Sequence, residues 1–337
     1  MIPFEFPEPS KSEPWRPFAR WYGGKWNLAK WIISFMPPHA RYVEPFAGAA
    51  SVLMRKKPTR TDIINDLDCQ LVEAFEMVRD QIQWPHLAFN LIMTPFARDE
   101  FERSLEPSDD PLERVRRFFV RQAFAMSTDR RDGGTNRTGF RSYSDEARTA
   151  PMKDWKTFVD ALGSCRMRLQ HVIIENRDAF EVMEKHDGMT TLHFVDPPYR
   201  MDTRRSTKRG YQHELDEDDH DRLLAFLCTL KGMVILSGYP SPAYDAALPG
   251  WERHERLAQD LTGAKRTECV WLNPALQRTR AAEKAAAEAA AAKKAETEAE
   301  DQANAAKAAA REQAKVAKAA AAEMKRLAKA AQGNLFA

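Results

Sequence analysis

Short apolar runs alternate with helical patterns along most of this chain. Arg41–Phe46 is an apolar run that ends in a small-residue turn at Gly48, and Ala49–Arg55 continues with helical spacing. Thr61–Asp66 is a second strand-like run, followed by apolar positions at helical intervals over Cys69–Arg79. Further on, His171–Glu175, Leu192–Val195 and Met233–Ser237 are β-rich runs, with helical patterns at Glu181–Lys185 and Asp218–Leu230 between them. Strand–helix alternation of this kind predicts a parallel α/β sheet. Trp251–Leu257 and Glu268–Leu272, separated by a turn containing Gly263, predict a hairpin at the sheet edge.

Two stretches break the alternation. Residues 80–170 are helical over Phe118–Met126 and then become rich in Arg, Gly, Asn and Thr from Ser127 to Ser144. They read as an insertion carrying an exposed loop or hairpin. Residues 281–331 are dominated by Ala with Lys, Glu and Gln, all strong helix formers, and no Gly or Pro interrupts them before Gly333. Val316, Met324 and Leu327 are too few for a coiled-coil seam, so a solvated single helix or helical linker is expected.

Composition narrows the class. The 337 residues are 43% hydrophobic and 30% charged, which suits a protein with a real core. No apolar run is long enough to span a membrane. Met1 to Pro17 is Pro-rich and acidic without a basic-then-apolar signal region, so secretion is not expected. Cys69, Cys165, Cys228 and Cys269 are scattered with no C-x-x-C pair. Neither a metal site nor a disulfide framework is expected, and a reducing cytoplasm suits the chain. Of its 51 Lys+Arg and 49 Asp+Glu, 10 and 8 lie from Ala281 onward, which leaves 41 of each in residues 1–280. Bulk charge therefore says nothing about partners. Locally, Arg114 to Arg141 holds eight Arg against Asp129 and Asp132, a patch able to follow a phosphate backbone or simply to solvate a helix face.

Four segments carry candidate chemistry. The strongest is Asp196-Pro197-Pro198-Tyr199, directly after the run Leu192–Val195. Ligands of open α/β sheets bind outside such strand ends. An exocyclic amine conjugated to a purine ring is a poor nucleophile. A carboxylate (Asp196) and a backbone carbonyl (Pro197) can each accept one of its two N–H groups and so localise the lone pair. Proline has no N–H, which leaves an acceptor-only backbone. Tyr199 offers a face for stacking a flipped base. The second segment, Tyr42-Val43-Glu44-Pro45-Phe46-Ala47-Gly48-Ala49-Ala50, is a strand, a small-residue turn and a helix start without the G-x-G-x-x-G of a dinucleotide site. The third is the acidic strand end Asn65-Asp66-Leu67-Asp68, which suits a ribose diol or a helix N-cap. Asp178 carries the same two readings. The fourth is Trp21-Tyr22-Gly23-Gly24-Lys25, a turn whose lysine could meet a carboxylate.

In this order the segments resemble the Dam-type family of DNA adenine-N6 methyltransferases, from about Ala19 to Pro274. Tyr211, the run Asp219–Leu224, Ser237-Gly238-Tyr239 and Glu268–Asn273 extend the likeness. The family often has a second Gly where Ala50 falls. The resemblance implies a Rossmann-like methyltransferase sheet, mostly parallel with an antiparallel edge hairpin, bearing an inserted, mainly helical DNA-recognition domain. It implies S-adenosylmethionine as methyl donor and no metal. Trp21 and Lys25 would contact the methionine part, Glu44, Phe46 and Gly48 would line the pocket, Asp66 would hold the ribose and Asp178 would meet the adenine amino group. Asp196, Pro197, Pro198 and Tyr199 would be catalytic.

The expected organisation is an arm (1–17), a catalytic domain (18–79 and 171–275), a target-recognition insert (80–170), a helical tail (276–331) and a terminal peptide (332–337). The expected partner is double-stranded DNA, met first by Arg130, Arg131, Asn136, Arg137 and Arg141, with the basic run Arg200 to Arg209 as a second contact. Gln332-x-x-Leu335-Phe336 resembles the short motif by which bacterial proteins bind the DNA polymerase sliding clamp, or else is a frayed helix end. An RNA adenine-N6 methyltransferase and a decayed DNA-binding protein are the alternative functions. A cytosine-N4 enzyme would usually carry Ser in place of Asp196.

Overall fold

The computed structural model describes residues 11–126, 139–142, 151–204, 213–259 and 265–333. Its centre is a seven-stranded sheet built from β1 (Arg41–Glu44), β2 (Thr61–Asn65), β3 (Val172–Glu175), β4 (Thr191–Val195), β5 (Met233–Gly238), β6 (Glu252–Gln259) and β7 (Lys265–Leu272). The spatial order is β3-β2-β1-β4-β5-β7-β6. The first five strands are parallel, whereas β7 runs antiparallel to both β5 and β6. The mostly parallel sheet with an antiparallel edge hairpin, expected from the sequence, is the one that forms. Every residue of β4 and β5 is buried, which is why these strands read as continuous apolar runs rather than alternating ones. The hairpin strand β7 starts three residues before the expected Glu268, because Lys265, Arg266 and Thr267 pair with β6 while carrying no apolar signal.

Eleven α-helices surround or extend the sheet among the described residues: α1 (Ala29–Ile33), α2 (Ser51–Arg55), α3 (Cys69–Arg79), α4 (Gln83–Met93), α5 (Arg98–Ser104), α6 (Pro111–Phe124), α7 (Pro151–Leu169), α8 (Ala179–His186), α9 (Glu217–Leu227), α10 (Pro242–Ala247) and α11 (Pro274–Gly333). Helix α6 starts seven residues before the expected Phe118. Asp110 caps it and Pro111 occupies its first position. Its polar first half is held by ion pairs: Arg114 to Glu73, Arg116 to Glu100 and Glu113, and Arg117 to Glu113. Arg121 is buried, with Nη2 donating to Gln70 at 2.9 Å. Arg114, Arg116, Arg117 and Arg121, half of the eight Arg in the Arg114–Arg141 patch, are thus committed to internal pairing, a role that neither reading of the patch included.

Helices α4, α6 and α7 pack on α3. Phe18 joins this layer to the N-terminal segment, with its ring 4.3 Å from Phe75 and 5.4 Å from Phe119. An isolated antiparallel bridge pairs Ala125 with Phe140. The chain divides into two units, 1–279 and 280–337. Asn273 starts α11 by accepting from the Leu276 N–H at 3.0 Å, and it accepts from the Val234 N–H at the same distance. No helix among the described residues is long and apolar enough to cross a membrane.

Candidate active site

The strand order reverses direction between β1 and β4, and the site lies at that switch point. After β1 the chain turns sharply through Pro45–Ala50. Gly48 has φ +46°, and a Cβ there would meet the Trp21 indole at 2.7 Å, so the position requires glycine. Ala50 also lies in the left-handed region at φ 49°, a conformation that glycine adopts more readily, and α2 begins directly after it at Ser51. Asp66, at the end of β2, fixes this turn. Its Oδ2 accepts from the Gly48 N–H at 2.8 Å and its Oδ1 from the Asp68 N–H at 2.9 Å. The helix-capping role open to either acid falls to Asp68, whose carboxylate accepts from Gln70 and Leu71 at the start of α3.

Asp196-Pro197-Pro198-Tyr199 follows β4 directly. The Asp196 Oδ2 lies 3.0 Å from Lys25 Nζ. Among the described residues, its buried Oδ1 meets no hydrogen-bond partner. Tyr199, expected to offer a face for stacking, is buried, at 7% exposure. Lys25 Nζ lies 4.7 Å from its centroid and Tyr239 meets it edge-on at 4.6 Å. The Tyr199 hydroxyl donates to Glu268 Oε2 at 2.9 Å and shares a 2.8 Å bond with Ser237. Tyr199 is thus an anchor in this arrangement rather than a free platform.

Both segments face one open cleft of about 610 Å³. Trp21, Lys25, Glu44, Phe46, Gly48, Asp66, Asp196 and Pro198 all line it. Asp178 does not join them. Its carboxylate accepts from the Phe180 and Glu181 N–H groups as the N-cap of α8, and the adjacent Ala179 lines the cleft. His213, Glu214, Leu215 and Asp216 line it further, residues the sequence reading did not single out, together with Asp219 from the run that extended the likeness. A profile of the D12 class N6 adenine-specific DNA methyltransferases matches residues 21–237, more than half of the chain and the whole span of these segments.

The chain belongs to that family.

It is an adenine-specific DNA methyltransferase. It is 22% identical over 236 residues to the Type II methyltransferase M.MjaIII of Methanocaldococcus jannaschii, covering 63% of this chain and 78% of the relative. It is 32% identical over 66 residues to the Type II methyltransferase M1.LlaDCHI of Lactococcus lactis subsp. cremoris, covering 19% of this chain and 23% of that one.

Methyltransferases of this family imply S-adenosylmethionine, and the cleft fits it. A volume of about 610 Å³ lies within the range of small-molecule sites. The bare backbone at Gly48 allows close approach, and a carboxylate stands at the end of β2. Lys25 sits among buried acids. Burial opposes the Lys25 ammonium, but the charges of Asp196 and Glu268 outweigh it and hold its pKa above the ordinary lysine value. Burial raises Asp196 above the usual carboxylate range, with Lys25 opposing. Burial likewise raises Glu268. Glu44 is pushed up to about 8 by burial, against the hydrogen bonds it accepts from the Tyr42 hydroxyl (2.9 Å) and the Leu53 N–H (3.2 Å).

Glu268 is the site group that sequence reasoning missed as chemistry; it entered only as part of a hairpin strand. Of the residues expected to touch DNA, Arg130, Arg131, Asn136 and Arg137 lie outside the described residues, and Arg141 Nη1 is 3.3 Å from Asp154 Oδ2. Gln332 falls in the last turn of α11, while Leu335 and Phe336 lie outside the described residues.

Proposed function

We propose that the enzyme methylates N6 of an adenine rotated out of duplex DNA, with Asp196 Oδ1 and the Pro197 carbonyl as the two acceptors of the amine. The observation that carries this reading is the buried Oδ1 of Asp196, without a hydrogen-bond partner among the described residues, on a side chain that pairs with Lys25 and lines the cleft. A buried acceptor without a donor costs about 1–3 kcal/mol, which an incoming N–H group would relieve. Accepting both N–H groups draws the nitrogen toward a pyramidal shape and concentrates its lone pair. Lys25 keeps negative charge on Asp196, and the Ser237–Tyr199–Glu268 bonds hold the following loop in place. Pro197 and Pro198 stiffen the backbone between them.

Asp66, Trp21, Phe46, Glu44 and the Gly48 backbone are the groups that would hold S-adenosylmethionine. Bound there, it supplies a methyl group on a sulfonium, which is already a good leaving group. Holding both partners in line is the main task left to the protein. Arg130, Arg131, Asn136, Arg137 and Arg141 remain the proposed contacts to phosphates and base edges, supported by their residue types. Docking of Gln332, Leu335 and Phe336 on a sliding clamp rests on motif likeness alone. A pulldown with and without Leu335→Ala and Phe336→Ala tests it.

The central test is transfer of labelled methyl from S-adenosylmethionine to duplex DNA and to ribosomal RNA, followed by nucleoside analysis. N6-methyladenine in the duplex is expected. Label confined to RNA, or to cytosine, overturns the assignment.

A further inference from the structure

Charge along α11 is segregated rather than mixed. Residues 281–301 carry three Lys against six Asp+Glu, while residues 302–327 carry six cations against Glu312 and Glu323. The six are Lys307, Arg311, Lys315, Lys318, Lys325 and Arg326. At about 100° per residue they fall within an arc of roughly 100° on one helix face. Glu312 and Glu323 lie beyond its edge, and Val316 and Leu327 lie on the far side. All ten of these positions, with Met324 and Ala322, are exposed. The stripe is about 29 Å long, close to one turn of B-DNA. Ala322 sits between the cations and Ala314 just beyond the edge of their arc, so no bulky side chain at these positions keeps the helix from a flat or convex partner.

A helix that uses charge only for solubility interleaves signs, as the first half does with Lys284–Glu288 and Lys294–Glu298 pairs at i,i+4. In the second half, among the described residues, only Lys315 and Arg326 of the six have an acid within ion-pair distance: Glu312 at 3.5 Å and Glu323 at 3.8 Å. Such exposed pairs contribute little and exchange readily.

We infer that this basic stripe is a second, sequence-independent DNA-binding surface that takes duplex phosphates. It rests on the family's DNA substrate but not on the catalytic assignment. Charge complementarity selects the partner: a duplex presents one negative charge per about 1.7 Å of axis, and contact with n phosphates releases counterions in proportion. An anionic membrane would also attract the cations, but the opposite face is mostly alanine, with only Val316, Met324 and Leu327 to insert. A surface of this kind holds the enzyme on DNA between encounters with its target sequence.

The test uses the full-length enzyme and a duplex lacking the target site. The quadruple variant Lys307→Gln, Arg311→Gln, Lys315→Gln, Lys318→Gln keeps strong helix formers, and circular dichroism verifies the helix. The slope of log K against log salt is expected to fall in magnitude by about 3–4, at about 0.9 per phosphate contact. Turnover on a short cognate duplex at low salt is expected to be unchanged. A second variant keeps net charge but scatters the stripe: Arg311→Ala with Ala309→Arg, and Lys318→Ala with Ala320→Lys. It is expected to lose slope as well. An unchanged slope in the quadruple variant overturns the inference, and so does wild-type binding by the scattered one. Self-association that disappears in the quadruple variant while its DNA slope stays the same assigns the stripe to a second copy. Binding to phosphatidylserine vesicles with that same unchanged slope assigns it to a membrane. Loss of methyl transfer by the unaltered enzyme would count against the catalytic reading and leave the slope measurement standing.

Discussion

Lys25 Nζ lies 3.0 Å from Asp196 Oδ2, so the lysine of the N-terminal turn is ion-paired with the acid that ends β4. The likeness to the methyltransferase family put Lys25 on the methionine part of the cofactor. Lys25 lines the same cleft, but its charge is engaged by Asp196 and its position over Tyr199 ties the N-terminal turn to the segment that follows β4.

Replacing Lys25 with Met removes the cation that favours ionised Asp196. Asp196 then titrates still higher, so the acid limb of the kcat–pH profile should move to higher pH. Stability should fall by about 3–5 kcal/mol, the usual cost of breaking a buried pair. If Lys25 serves only the cofactor, the variant raises KM for S-adenosylmethionine without moving that limb. Initial rates across pH separate the two.

Asp196→Ala should reduce kcat by at least about two to three orders of magnitude, comparable to losing one preorganised hydrogen-bonding group in an active site. Calorimetry should show S-adenosylmethionine binding largely intact. Near-normal turnover would remove Asp196 from the mechanism.

For Asp66→Ala the expected effect is the reverse: a raised requirement for S-adenosylmethionine with little change in rate at saturation. Its bond to the Gly48 N–H adds about 1 kcal/mol of lost stability. An unaltered affinity would make Asp66 a brace for the turn and nothing more.

Glu44 gives the protein a pH-dependent stability. Its folded pKa, about 8, lies above that of the unfolded chain, so the folded state holds a proton the unfolded state releases. This contribution is complete below about pH 4.5 and is lost as pH rises through about 8. Each unit of difference is worth about 1.4 kcal/mol. Glu44→Gln keeps an acceptor for Tyr42 and Leu53 and removes the titration. Its melting temperature should decline less than wild type between pH 5 and 8.5, and parallel curves would contradict the assignment.

Tyr199→Phe and Glu268→Gln test the anchor. Tyr199→Phe deletes two hydrogen bonds and should cost about 1–3 kcal/mol, with kcat affected more than KM for S-adenosylmethionine. Glu268→Gln retains an acceptor for the tyrosine hydroxyl but removes a negative charge near Lys25 and Asp196. It should shift the acid limb of kcat to lower pH while stability changes little. A shift in neither profile would leave Glu268 as ordinary strand structure.

Local segments were legible where one stretch of chain builds its own geometry. The turn at Gly48 and the Asp196–Tyr199 strand end are such cases, because glycine and proline impose backbone shapes that neighbours need not supply. Helix α3 was read at Cys69–Arg79, its actual extent, because its buried face follows the helical period. Helices α4, α5 and α7 were not read as separate elements. Their packing on the α3 layer and the ion pairs around α6 are long-range contacts that no local period displays.

The sequence by itself determined the fold class, the order of the strands along the chain and the two motifs that meet at the switch point, since each depends on local periodicity and on residues with special backbone freedom. Only the tertiary structure decided which acid does what. Asp66, Asp68 and Asp178 all stand at strand-to-helix junctions, yet Asp66 holds the Gly48 turn while Asp68 and Asp178 cap helices. Glu268 reaches Tyr199 because β7 runs antiparallel to β5 and pairs Cys269 with Gly238, which carries the preceding residue past the end of β5 to the level of the segment after β4. Charge, burial and hydrogen bonding at these positions depend on neighbours distant in the chain, and only packing brings those neighbours together.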